Sequence, residues 1–281
     1  AAERFGSFIG WLQQQDEQAA LAMWREELQD FSEVTALPFD RKKGDGESAG
    51  IGDNYVYLAP EQGRLLHELA QRNQITVNTF AQAAWSLVLH RYSGLHDVLF
   101  GVTVAGRPVN RPEMQSTVGL FINSIALRVD IPQAGDDLSV KAWLQRLFEK
   151  NFTLREYEYL PLVQIQACSA VEAGHPIFDS LLVYENAPME SKVLSNAQQL
   201  NVAGSTSRTH TNYPLTVVIY PGDELGLHLS YDQSYFDEPT IAALLEDFRR
   251  LLLALAEGFH GRFDELALVG APELAKVHEQ P

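Results

Sequence analysis

The sequence predicts an α/β fold, β-strands with packed helices, and two patterns carry that prediction. The first is a strand pair. Asp97 to Ala105 alternates, with Val98, Phe100, Val102 and Val104 on one face and small residues such as Gly101 on the other, the period-two signature of a strand. A polar loop with Gly106, Arg107, Pro108, Asn110 and Pro112 then ends the ladder, and a second apolar run, Val118 to Val129, follows. The second pattern is helical. Trp143, Leu144, Leu147 and Phe148 form one stripe within residues 138–156. Ile241, Leu244, Leu245, Phe248, Leu251, Leu252 and Leu255 form another after Asp237 and Pro239.

The other elements follow in chain order. Phe5, Phe8, Ile9 and Leu12 recur at helical spacing, and Leu21, Trp24 and Leu28 repeat it after Asp16, a suitable cap for the second helix. On that periodicity Trp11 and Trp24 are expected in the core. Residues 38–53, PFDRKKGDGESAGIGD, break the pattern and read as a mobile surface loop. Their glycine spacing matches neither G-x-G-x-x-G nor a Walker loop. Tyr55 to Leu58 is expected to be a strand. Pro60 then opens a helix with Leu65, Leu66 and Leu69 as its stripe. A further helix is expected from about Asn78 to Tyr92, ended by Gly94. Phe178 to Glu185 reads as a strand, and Leu215 to Tyr220 and Leu225 to Tyr231 as a hairpin around Pro221-Gly222-Asp223. Between them, residues 186–212 form a long polar excursion.

Composition excludes several function classes. Asp and Glu number 37 against 21 Lys and Arg, a net charge of −16, and no basic stripe opposes it. Nucleic acid and anionic membrane surfaces are therefore not expected partners. No apolar segment is long enough to span a bilayer, and no basic region followed by an apolar core marks a secretion signal. Cys168, the single cysteine, rules out a disulfide framework or a cysteine-built zinc site within one chain, which fits a reducing, cytoplasmic setting. It follows Leu162, Val163 and Ile165 and is expected to be a buried structural thiol.

No sequence pattern specifies a catalytic base. There is no G-x-S-x-G elbow, no H-E-x-x-H and no paired metal-ligand spacing, and His90 has no second ligand one helical turn away. The candidate functional residues are Arg107, Asn123 and Ser124. Asn123 sits in an apolar run, where an amide needs backbone, water or ligand partners. It either pins the loop after Gly106 to the sheet or contacts a ligand. Arg107 either reaches a ligand or pairs with Asp97 or Glu113.

Several of these stretches resemble one family. Val118-Gly119-Leu120-Phe121-Ile122-Asn123-Ser124-Ile125-Ala126-Leu127-Arg128 is similar to the V-G-x-F-V-N-T-x-x-x-R motif of nonribosomal peptide synthetase condensation domains. Gly101 to Arg107 resembles that family's G-x-x-V-x-G-R, and Phe5-x-x-Phe8-x-x-Trp11 its Y-x-D-F-A-V-W. Asn212-Tyr213-Pro214-Leu215 and the hairpin PGDELGLHLSYD also have the family's look. The matches fall in family order. Only the Leu160-Pro161-Leu162 part of Q-D-x-P-F-E is kept, and Gly174-His175-Pro176-Ile177 replaces an arginine- and asparagine-bearing pattern. The family's H-H-x-x-x-D-G motif is absent, for the chain contains no His-His pair.

The resemblance implies an α/β, chloramphenicol-acetyltransferase-like lobe, a mixed β-sheet with packed helices. Residues 1–260 would be the C-terminal, acceptor-side subdomain of a condensation domain, and residues 261–281 the start of a linker to the next synthetase domain. The implied function is peptide-bond formation between a carrier-bound acyl or peptidyl thioester and an aminoacyl thioester. The chain would be inactive without the histidine-bearing N-terminal lobe. Arg107, Asn123 and Ser124 would flank the substrate and carrier tunnel, and the excursion at 186–212 would cross to the other lobe. No cofactor is expected to bind directly, since the substrates ride on phosphopantetheine. Implied partners are the N-terminal lobe, donor and acceptor peptidyl carrier domains and a downstream adenylation domain. Two alternatives stay open: a non-catalytic carrier-docking or scaffolding lobe, and part of an epimerisation or ester-forming relative.

Overall fold

The computed structural model describes residues 5–40, 50–107, 111, 114, 116–133, 135–172, 174–185, 211–222 and 224–266. The expected surface loop lies mostly outside this set, as do most of the 186–212 excursion and residues 267–281. The described chain runs α1 (Phe5–Leu12), α2 (Glu17–Leu28), β1 (Ile51–Tyr57), α3 (Pro60–Arg72), α4 (Val77–Ser93), β2 (Asp97–Val104) and β3 (Asn123–Asp130). It continues through α5 (Val140–Arg155), α6 (Leu162–Gln166), β4 (Ser180–Tyr184), β5 (Leu215–Tyr220), β6 (Gly226–Asp232) and α7 (Glu238–Glu257). A short 3-10 turn, Phe263–Glu265, follows.

The strands make one mixed sheet in the order β1-β6-β5-β4-β2-β3. β4 is parallel to β2 and to β5, whereas β2–β3, β5–β6 and β1–β6 are antiparallel. Alternation decides what the sheet buries. Val98, Phe100 and Val102 of β2 share a face with Ile125, Leu127 and Val129 of β3, and all are buried. Val217, Ile219, Leu227 and Leu229 extend that core, which α4 and α7 cover. Trp85 of α4 donates from Nε1 to Ser180 Oγ at 3.2 Å and meets Phe248 of α7 edge-on, so one buried indole joins two helices to the sheet. Burying such aromatics stabilises by roughly 1.5–3 kcal/mol each.

Local signals place the helix ends. Asp16 Oδ1 accepts the Ala19 N–H at 2.9 Å, and Gly94 ends α4 with φ +75°. Pro60 is the first residue of α3, as expected, but Leu65 is exposed and the buried stripe is Gly63, Leu66 and Ala70. β1 starts at Ile51, earlier than Tyr55, because β6 offers partners as far as Asp232. Residues 261–266 pack on the body. The Phe263 N–H donates to Leu138 O at 2.9 Å, and its ring meets Trp143. Cys168 is a free, buried thiol whose pKa burial pushes up.

The largest departure concerns residues 118–122, read from sequence as part of the second strand. The ladder between β2 and β3 ends at Val104↔Asn123. Gly106 then turns the chain away with φ +60°, so Val118 to Ile122 find no strand partner among the described residues.

Candidate functional site

The site is built around that departure, where β2 ends and β3 begins. Gly106 adopts a left-handed backbone, and a Cβ there would lie 1.8 Å from the Phe121 carbonyl oxygen. Only glycine lets the two strand ends approach so closely. Gly119 serves a similar purpose, since a Cβ there would lie 2.1 Å from the Phe5 ring. These contacts give the glycines of both motifs a physical reason.

Phe121 is the hub of a small second core with Phe8 and Met114. Its ring lies 4.5 Å from Phe8 and meets Phe5 edge-on at 5.3 Å. Phe8 stacks on Trp11, and Trp11 meets Tyr159 edge-on. The N-terminal aromatic motif therefore packs beneath the strand-end loop, and Trp11 belongs to this satellite core while Trp24 is fully buried in the main one. Arg107 lies over the Phe121 ring, 3.9 Å from its centroid, and donates from Nη1 to the Met114 carbonyl. A cation over an aromatic ring contributes about 0.5–2 kcal/mol. Asp97 does not pair with Arg107. It takes Arg128 instead, and Glu113 lies outside the described residues.

Asn123 opens β3 and spends both amide protons on one neighbouring segment. Its Nδ2 donates to Glu158 O at 2.7 Å and to Leu160 O at 2.9 Å, while Oδ1 accepts the Ser124 N–H at 2.9 Å. Among the described residues the segment it pins is thus the one carrying Glu158 and Leu160. Ser124 stands opposite Thr103 on β2, half-buried. Arg107 lies against Phe121 whereas Asn123 reaches Glu158 and Leu160, and no described contact joins the two directly.

Sequence reasoning missed Glu158. Burial pushes its carboxyl pKa up, opposed in part by Arg155 and by the Gly106 N–H. The available signal was the retained Leu160-Pro161-Leu162, which marks the segment β3 grips. Beside this anchored base, Val118, Leu120 and Ile122 are 92%, 76% and 66% exposed. Isolated exposed apolar residues are ordinary, but three at alternate positions on one loop form a surface strip that water solvates poorly.

Among the described residues no three His, Cys, Asp or Glu side chains converge to hold a metal ion, and no helix is long and apolar enough to cross a membrane. The arrangement can shape and orient a neighbour. Among the described residues it presents no nucleophile–base pair.

Mixed sheet, covering helices and aromatic-supported strand-end loop define a chloramphenicol-acetyltransferase-like α/β lobe. Solved structures agree on the fold. The X-domain from teicoplanin biosynthesis matches with a TM-score of 0.72 at 21% identity, over 94% of this chain and 62% of that one. A four-domain nonribosomal peptide synthetase bound to AMP and glycine matches with a TM-score of 0.76 at 15% identity, over 93% of this chain and 21% of that one. The family model described as Condensation domain matches residues 1–277. A linear gramicidin synthase polypeptide of Brevibacillus parabrevis is 35% identical over 275 residues, 97% of this chain and 4% of its own length. Chondramide synthase cmdD of Chondromyces crocatus is 34% identical over 97% of this chain and 7% of its own. The chain belongs to the condensation-domain family of nonribosomal peptide synthetases. It spans a few per cent of these curated relatives.

Proposed function

We propose that this chain is the C-terminal, acceptor-side lobe of a peptide-bond-forming condensation domain. It forms one wall of the tunnel in which an aminoacyl amine attacks an acyl or peptidyl thioester, both carried on phosphopantetheine. The exposed strip Val118, Leu120 and Ile122, held out on a tightly anchored loop, carries this reading, because it offers a rigid apolar face to a partner. That partner is the N-terminal lobe, and the catalytic histidine comes from it, since no adjacent histidine pair occurs here. The lobe runs through Leu266 rather than ending at residue 260, a reading supported by Phe263 and Leu266 in the core, and the residues that follow begin the linker to a downstream adenylation domain. Donor and acceptor carrier domains dock on the assembled pair of lobes, in the cytoplasm.

Within this assembly Arg107, Asn123 and Ser124 act by position. Asn123 fixes the segment that meets β3, and Arg107 stiffens the loop through Phe121. Preorganised walls matter because holding two reactants in near-attack geometry removes much of the entropic barrier.

The test is amide formation from two loaded carrier proteins, read by intact-protein mass. The chain is assayed alone and with a separately expressed N-terminal half. Product only in the combined reaction is expected. Product from this chain alone would mean that it contains its own base. No product in either, with carrier binding retained, would favour a docking lobe without catalysis.

A further inference from the structure

On the sheet, far along the strand order from β3, a second polar cluster plays no part in this reading. His228 of β6 is fully buried between aromatic rings. Its Nε2 lies 2.8 Å from Asp53 Oδ1 on β1, and its Nδ1 lies 3.4 Å from the Tyr220 hydroxyl on β5. Tyr55 of β1 stacks on it, centroids 3.9 Å apart and rings 10° from parallel, and Tyr220 lies near-parallel at 6.1 Å. One histidine therefore joins three strands on one face of the sheet.

The partners fix its chemistry. Beside a carboxylate, Nε2 carries the proton and donates to Asp53, which leaves Nδ1 to accept from Tyr220. β1 is an edge strand, paired only with β6 among the described strands. Asp53 and Tyr55 both reach across that pairing to His228. An edge strand has half the ladder bonds of a central one, so side-chain ties weigh heavily in keeping it docked.

We propose that His228 is a proton-linked latch on the edge strand: neutral, it fastens β1 through Asp53 and Tyr55, and on protonation that hold weakens. A second proton places charge in a fully buried ring and turns Nδ1 from acceptor to donor, so the Tyr220 hydroxyl must reverse and accept. Among the described residues, the groups facing the imidazole are Asp53 and Tyr55 from β1 and Tyr220 from β5, with Gly226 and Ser230 its same-face neighbours on β6. Among the described residues Asp53 is the charged group acting on it, and it opposes the change without outweighing burial. Burial pulls the histidine below its ordinary value, and the Asp53 hydrogen bond and charge pull it back only in part. The unfolded or undocked histidine thus takes its proton first. The latch is intact above about pH 6.5 and is lost as pH falls through the lower folded value.

The test is amide hydrogen exchange on the full chain between pH 5 and pH 8, corrected for intrinsic rates. Segment 51–57 is expected to lose protection below about pH 6.5, by at most tenfold per pH unit, the slope of a single proton. Segment 98–102 should hold its protection, and His228→Gln, which keeps a donor but cannot titrate there, should abolish the dependence. Nitrogen NMR of the wild-type histidines gives a second reading that needs no variant: His228 should hold its proton on Nε2 and titrate below the ordinary value. Protection at 51–57 that ignores pH would overturn the proposal, as would a dependence surviving in H228Q or a histidine titrating at or above about 6.5. None of these outcomes depends on condensation activity.

Discussion

Arg128 and Asp97 form a two-pronged pair across β2 and β3: Nε donates to Oδ1 at 2.9 Å and Nη2 to Oδ2 at 2.7 Å. The remaining prong, Nη1, donates to the Glu27 carbonyl at the end of α2, at 2.8 Å. The arginine that closes the family's strand motif is thus a three-way tie between two strands and an N-terminal helix. Asp97 holds the guanidinium further above its already high pKa, so it is charged at every working pH.

Replacing Arg128 tests that tie. Arg128→Ala is expected to destabilise by about 1.5–3 kcal/mol, the range for hydrogen bonds to charged groups. Arg128→Lys should recover little of it, because an ammonium cannot span both carboxylate oxygens and the Glu27 carbonyl. Urea unfolding of the three proteins measures the difference.

Asn123 gives a sharper contrast. Asn123→Ala leaves the Glu158 and Leu160 carbonyls without their donor, costing about 1–3 kcal/mol. Asn123→Asp should cost more, since a carboxylate facing two carbonyls has no proton to give. Thermal unfolding ranks the variants, and equal losses would contradict the clamp.

Two left-handed glycines separate backbone strain from collision. Gly94 has open space where a Cβ would go, so Gly94→Ala should cost about 1–2 kcal/mol from its φ alone. Gly106→Ala adds a clash with the Phe121 carbonyl and should be clearly worse, with the loss visible as altered near-UV signals from the Phe121 cluster.

The Glu158 carboxyl carries a pH signature. Its folded pKa is raised, so the folded chain binds the proton more readily. Its contribution is fully present below about 4.5 and is lost as pH rises through the folded value. Glu158→Gln should therefore raise the melting temperature at pH 7 and leave it nearly unchanged at pH 4. A lower melting temperature for the variant at pH 7 would contradict this.

The exposed strip separates stability from association. Serine at Val118, Leu120 or Ile122 should alter stability by no more than about 0.5 kcal/mol, since these side chains face water. The triple variant should bind the N-terminal half at least about tenfold more weakly, a loss of about 1.4 kcal/mol, measured by titration.

Much of the architecture was legible because local patterns and burial agree. Alternation in β2, the leucine stripe of α7, Pro60 opening α3, Asp16 capping α2 and Gly94 closing α4 each report a local geometry that one stretch of chain fixes for itself. The quoted motifs pointed to the family for a related reason: their glycines and aromatics meet steric demands that few other residues can satisfy.

Contacts between distant segments were decided only by the tertiary structure. Apolarity alone extended the second strand over Val118 to Ile122, yet a ladder needs a partner, and Gly106 removes it. The amide of Asn123 announced a need for acceptors without saying that Glu158 and Leu160 supply them. Arg107 could not be assigned to Phe121 rather than to a carboxylate. His228 looks in sequence like any polar residue in an alternating strand. It acquires a carboxylate, two tyrosines and a shifted pKa only when β1 and β5 close on either side of β6. Spacing along the chain sets backbone form, whereas hydrogen-bond partners and dielectric environment are set by whatever the fold brings alongside.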